Sequence, residues 1–273
     1  MTATIATAQR AVSSTSSFGR LAGFRALARK DTTDWLRSRR FWVILAISVA
    51  FMALTAANGW ITNQIANSLP TGSIDLDSIG SLSPVDNFLA ALGAQVFVLA
   101  TIFVAGSLFA REREAGTLAW VASKPVTRAS IWLSKWVTTS AMTALVAGIL
   151  PLIATAALVT VLYGALPVEL VVGVAVGMVA VVTFFAAVGL ALGTVIPGQA
   201  ATIAAAFGVF ALMPILAGIS PFPIEQYLPT AMLGWPAEAF SGASISLATP
   251  VAWLVLTAAI AGFGVRRTAR LEL

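Results

Sequence analysis

Apolar residues in this chain come in long unbroken runs, not at the three-and-four spacing of a helix with one wet face. A helix needs about 20 predominantly apolar residues to cross hydrocarbon. Six runs qualify, at approximately 41–59, 87–110, 137–162, 169–195, 200–218 and 249–265. In lipid each segment must satisfy its backbone hydrogen bonds internally, so each run reads as a helix. The expected fold class is an all-α membrane protein with six transmembrane helices. Pro151 and Pro214 are expected to kink the third and fifth spans. Thr249 is expected to cap the sixth, with Pro250 as its first helical residue.

The segments between the runs complete the organisation. Residues 1–17 are rich in Ser, Thr and Ala without apolar periodicity, and read as a disordered tail. In 18–40, Leu21, Phe24, Ala28 and Trp35 share a helical face while Arg25, Arg29, Lys30 and Arg37 lie elsewhere. This predicts an amphipathic helix in the interface, ahead of the six-span domain at 41–265 and a short tail at 266–273. Two long loops, 60–86 and 219–248, fall on one side. The second carries Pro221, Pro223, Pro229 and Pro236 among apolar residues. Such backbone near a membrane must be covered or line a cavity, so short re-entrant or interfacial helices are expected there.

Charge fixes the orientation. All 16 basic residues fall in three tracts, Arg10 to Arg40, Arg111 to Lys135 and Arg266 to Arg270, while the other segments hold only acids. That is the positive-inside pattern with both termini cytoplasmic, and the cell membrane is the expected location, with an organellar transit peptide through Arg29 as the alternative. Because the tracts abut apolar runs, they read as topology signals and not as a nucleic-acid surface. Trp35, Trp42, Trp120, Trp132 and Trp136 fall at the expected cytoplasmic ends, and Trp60, Trp235, Trp253, Tyr163 and Tyr227 at the outer ends.

The chain has no Cys and no His, so it has no disulfide, thiol nucleophile, imidazole metal site or Ser-His couple. No acid or base sits at a span centre, which argues against an intramembrane enzyme and a proton-driven pump. Gln95 is the only amide deep in a span and should face the bundle interior, as interhelical contact or as part of a pathway. Gly173 and Gly177, and Gly189 and Gly193, repeat the small-residue spacing that lets helices approach closely. At about 100° per residue the two pairs face nearly opposite ways, so this helix can pack two neighbours.

The segment 111–136 is far longer than a hairpin between spans needs. Glu112 and Glu114 alternate with Arg111 and Arg113. Residues 117–123 are expected to form a short apolar helix presenting Leu118 and Val121, broken at Lys124 and Pro125, and Thr127 can cap the helix that follows. Such a helix between charged ends suits a groove on a soluble partner. In Glu112, Glu114, Gly116, Thr117, Leu118, Pro125, Val126, Thr127, Arg128 and Lys135 the segment resembles the permease subunits of type-2 ATP-binding-cassette transporters. Position 119 is Ala and 120 is Trp where that family often has Glu and an aliphatic residue.

The resemblance implies a transmembrane exporter subunit that is not itself an enzyme. It implies an ABC ATPase subunit, expected in two copies, and a second permease chain, identical or different. No Gly-x-x-x-x-Gly-Lys-Ser/Thr occurs, so no cofactor is expected on this chain, and ATP and Mg are expected in the partner. A non-transporting membrane anchor or assembly factor shares the same topology and is the alternative.

Overall fold

The computed structural model describes residues 21, 23–68, 83–93, 95–117, 123, 126–235 and 246–270, and these are mostly helical with no strand among them. Helix α1 (Phe24–Arg37) is followed after Ser38 by α2 (Arg39–Ser68), then α3 (Pro84–Gly93) and α4 (Val96–Glu114). Next come α5 (Arg128–Thr143), a π-helical segment (Ala144–Ile149) and α6 (Leu150–Tyr163), which run on as one rod. Helices α7 (Val168–Gly193), α8 (Gln199–Ile219) and α9 (Ala248–Ala269) complete the bundle. Six of these stretches are long and apolar enough to cross a membrane.

The stretch read as one span at 87–110 is two helices. Gln95, placed by the sequence deep in a span, sits at the break in left-handed conformation (φ 43, ψ 30) as the residue before α4. Its backbone carbonyl accepts from Val98 and Leu99 N–H, so the second helix starts on Gln95 itself. A second correction concerns the last span. Thr249 lies inside α9, which begins at Ala248 with that residue's N–H donating to the Ser246 hydroxyl at 3.3 Å. Pro250 is tolerated because the first-turn N–H groups have no intrahelical acceptor. Pro151 falls in the first turn of α6, just past the π-helical segment. In the second long loop, 3-10 turns at Ile224–Tyr227 and Pro229–Leu233 lie against α7, α8 and α9. Residues 236–245 of that loop lie outside the described residues.

Helix α7 is the central post, packed against α4, α5, α8 and α9. Parallel α4 and α7 approach so closely at Gly189 that a Cβ there would lie 2.9 Å from the Gly106 amide nitrogen. Gly177 lies under the Met232 carbonyl of the second 3-10 turn, on a different side of the post. Gly193 faces Phe109, and Gly173 is half-buried. One core cluster, around Phe88, Phe97, Leu152, Met178 and Phe185, fills one end and the middle of the bundle. A second, around Phe109, Ile131, Trp132, Ala187 and Leu190, fills the basic end. Large apolar side chains also point outward, as Val161 does at 82% exposed. An apolar exterior over an apolar core is what a helix bundle in lipid presents.

Candidate functional site

The densest polar structure lies at the basic end, where α4 and α5 flank the segment 115–127. Lys135 is its centre. Its Nζ donates to Glu112 Oε1 at 2.6 Å and lies 4.0 Å from Asp31 Oδ2, with the Lys135 side chain only 8% exposed. One ammonium thus ties α1, α4 and α5 together. Desolvation holds the Asp31 carboxyl above the ordinary carboxylate range, and the Glu112 charge adds to this, while Lys135 opposes both. Glu112 Oε2 is buried and has no hydrogen-bond partner among the described residues.

The helices that converge here do so for local reasons. Helix α1 has a half-buried side containing Phe24, Leu27, Ala28, Asp31 and Trp35, which seats it on α5. Gly23, at φ 83, starts α1 against Val126, where a Cβ would collide with the valine side chain. Thr127 begins α5 by accepting from Ser130 N–H at 3.2 Å. Trp132, fully buried, lies flat enough on α9 that only a glycine fits at 264.

Around Lys135 the remaining charges fasten neighbouring chain ends. Arg113 Nη1 donates to the Gly193 carbonyl at 3.4 Å, and Gln199 Nε2 donates to Glu114 Oε2 at 3.2 Å, so both termini bordering the α7–α8 turn are held to the end of α4. Arg128 Nη1 donates to the Ala269 carbonyl at 3.2 Å, joining the start of α5 to the end of α9. Thr117 donates to the Glu112 carbonyl at 3.3 Å, and Gly116 turns the chain at φ 66. A cavity of about 230 Å³ lies between Arg113, Glu114 and 196–198.

Of the residues expected from the sequence, Glu112 and Thr117 share a hydrogen bond and Glu112 pairs with Lys135, while Glu114, Val126, Thr127 and Arg128 engage Gln199, Gly23, Ser130 and Ala269 separately. Leu118, Val121 and Pro125 lie outside the described residues, as does the short helix expected at 117–123 apart from Thr117 and Ser123. Gln95 belongs to another place. It borders a cavity of about 440 Å³ with Pro214 and Glu225, and its Oε1 is buried without a partner among the described residues. Two features carry more than the sequence indicated. Asp31 interrupts the apolar face of α1, the one signal that could have marked it, and Lys135 is a buried three-helix tie. Gln199 as a partner of Glu114 gave no signal.

No group of three or more carboxylates among the described residues is arranged to hold a metal ion. The helices leading into and out of the segment share one buried charge with α1.

Fold and site together define a multi-pass helical membrane protein whose polar joint sits at one end of the bundle. Residues 25–261 match the family described as ABC-2 family transporter protein, and the chain belongs to that family. It is a transmembrane permease subunit; members of the family are membrane components, and membership implies partnership with an ABC ATPase. No curated protein matches the chain.

Proposed function

We propose that this chain is the membrane-spanning part of an exporter in a cell membrane, with its basic end and both termini in the cytoplasm. A separate ATPase, in two copies, docks on the segment 111–128, and a second permease chain completes the path. The observation that carries this reading is the tie at Lys135, which links the helices on both sides of that segment to α1. The basic tracts at this end support the orientation. Closure of the ATPase pair on ATP would move α1, α4 and α5 as one piece, provided nucleotide binds the two arrangements unequally.

Mild-detergent affinity purification of the full chain, with mass spectrometry and an ATPase assay on the eluate, tests this directly. A stoichiometric Walker-motif subunit whose hydrolysis depends on the chain is expected. Glu114→Arg combined with Arg128→Glu should abolish that dependence while the chain still inserts. Recovery of intact, folded chain without any ATPase would favour an anchor role.

A further inference from the structure

The outward face of α9 carries a shallow open furrow between two rows of its own side chains, uncovered by any other described element, that ends among arginines. One wall is the row Ala258, Gly262, Arg266 and Arg270, and the other is Ala259, Phe263 and Arg267, neighbouring rows at the four-residue spacing of a helix surface. The opposite face of α9 is already used, since Ala261, Gly264 and Thr268 are buried and Gly264 holds Trp132. At Gly262 a Cβ would meet nothing within 4 Å, so no described part of the chain fills the groove.

The groove joins two chemistries. Away from the arginines it is lined by Ala, Gly and Phe, at the depth of the transmembrane stretch. At its end stand three guanidinium groups that form no ion pair with a carboxylate among the described residues. The Arg128 contact with Ala269 brings a fourth guanidinium to the same helix end. Basic residues at a cytoplasmic helix C-terminus are explained by topology and by the helix dipole. Neither makes use of the exposed apolar strip of α9 that leads to them.

The occupant must suit both parts. A second copy packed here about a two-fold axis normal to the membrane would set its own Arg266 and Arg270 against these, like charge against like. Free phosphate would satisfy the arginines and leave the apolar part unused. We infer that the α9 groove binds one anionic phospholipid of the cytoplasmic leaflet, its phosphate held by Arg266, Arg267 and Arg270 and an acyl chain lying along Gly262 and Ala258. This rests on the reading of the basic end as cytoplasmic, and needs neither the ATPase nor a transported substrate.

The test uses the full chain in mild detergent, titrated with phosphatidylglycerol or phosphatidylcholine and read by native mass spectrometry. Phosphatidylglycerol is expected to be retained over phosphatidylcholine. Each arginine near an anionic headgroup contributes about fivefold, so Arg266→Gln with Arg270→Gln should weaken phosphatidylglycerol binding on the order of twentyfold. Gly262→Leu fills the groove without changing charge and should also displace the lipid. Arg25→Gln with Arg29→Gln, which removes the same charge from α1, should leave it bound, and inorganic phosphate should not compete.

Several results would overturn the site. Equal loss in the α1 control would mean general surface attraction, competition by phosphate a free-anion site, and dissociation of a dimer by Gly262→Leu a second copy. Undiminished binding in both groove variants would also overturn it. If the double arginine variant fails to fold, Gly262→Leu and the phosphate competition still decide. The test is run on the chain produced without an ATPase subunit, so a negative result here is distinct from failure to recover the partner.

Discussion

Lys135 and its two carboxylates concentrate the risk at the basic end into a single charge. Removing one partner of a largely buried ionic cluster leaves the others uncompensated, so Lys135→Met should destabilise the chain by about 3 kcal/mol. Adding Glu112→Gln and Asp31→Asn to that variant should restore most of the loss, as followed by thermal unfolding in detergent. Asp31 predicts a pH dependence of its own. Its carboxyl titrates above the ordinary range because burial disfavours the charged form. The folded state therefore binds the proton more tightly than the unfolded one, and this contribution is present at low pH and lost as pH rises through the raised value. Asp31→Asn should accordingly gain on the wild type as pH is raised across that interval, and a constant difference would contradict the assignment. In the sequence, the Glu112 to Arg128 stretch stood out through its spacing. Asp31 did not, because an acid on an apolar face reads as an interruption until a lysine from a distant helix is folded over it.

At the scale of elements, hydrophobic length located the spans, yet it carries no information on where a helix stops inside an apolar run. The break at Gln95 is such a case. Neither proline nor glycine occupies position 95, and the residue adopts a left-handed conformation at a cost of about 1 kcal/mol. Gln95→Gly should raise the melting temperature by relieving that cost and by deleting a buried unpartnered oxygen, and Gln95→Val should lower it. The third long stretch behaves differently. Its π-helical segment Ala144–Ile149 widens the ladder, and Pro151 supplies no N–H to the Ala147 carbonyl. The hydroxyls of Ser140 and Thr143, just before the segment, are buried without partners among the described residues. By contrast Thr101, Thr183 and Thr268 each donate to a carbonyl one turn back. A swing of α5 relative to α6 in the proposed ATPase cycle is expected to occur here. The proline was visible in the sequence, but the π-helical turn before it, packed against α2 and α7, was not.

For the molecule as a whole, the pattern of runs and charges was enough to foresee six crossing helices with one basic end, because both follow from the bilayer as a solvent. Which helices touch which was not legible. The close approach of α4 to α7 at Gly189 depends on partners that motif spacing alone cannot name. The account as a whole requires α1, α4 and α5 to move as one body when the ATPase cycles, with the hinge at 144–151. The chain contains no cysteine, so paired spin labels can be placed on introduced cysteines without background. The most direct measurement is the distance between labels at Thr33 in α1 and Val137 in α5, and between Thr33 and Val161 in α6, in the complete transporter with and without trapped ATP. The account predicts that the first distance stays fixed while the second shifts. A first distance that changes as much as the second, or two fixed distances while ATP is being hydrolysed, would contradict it.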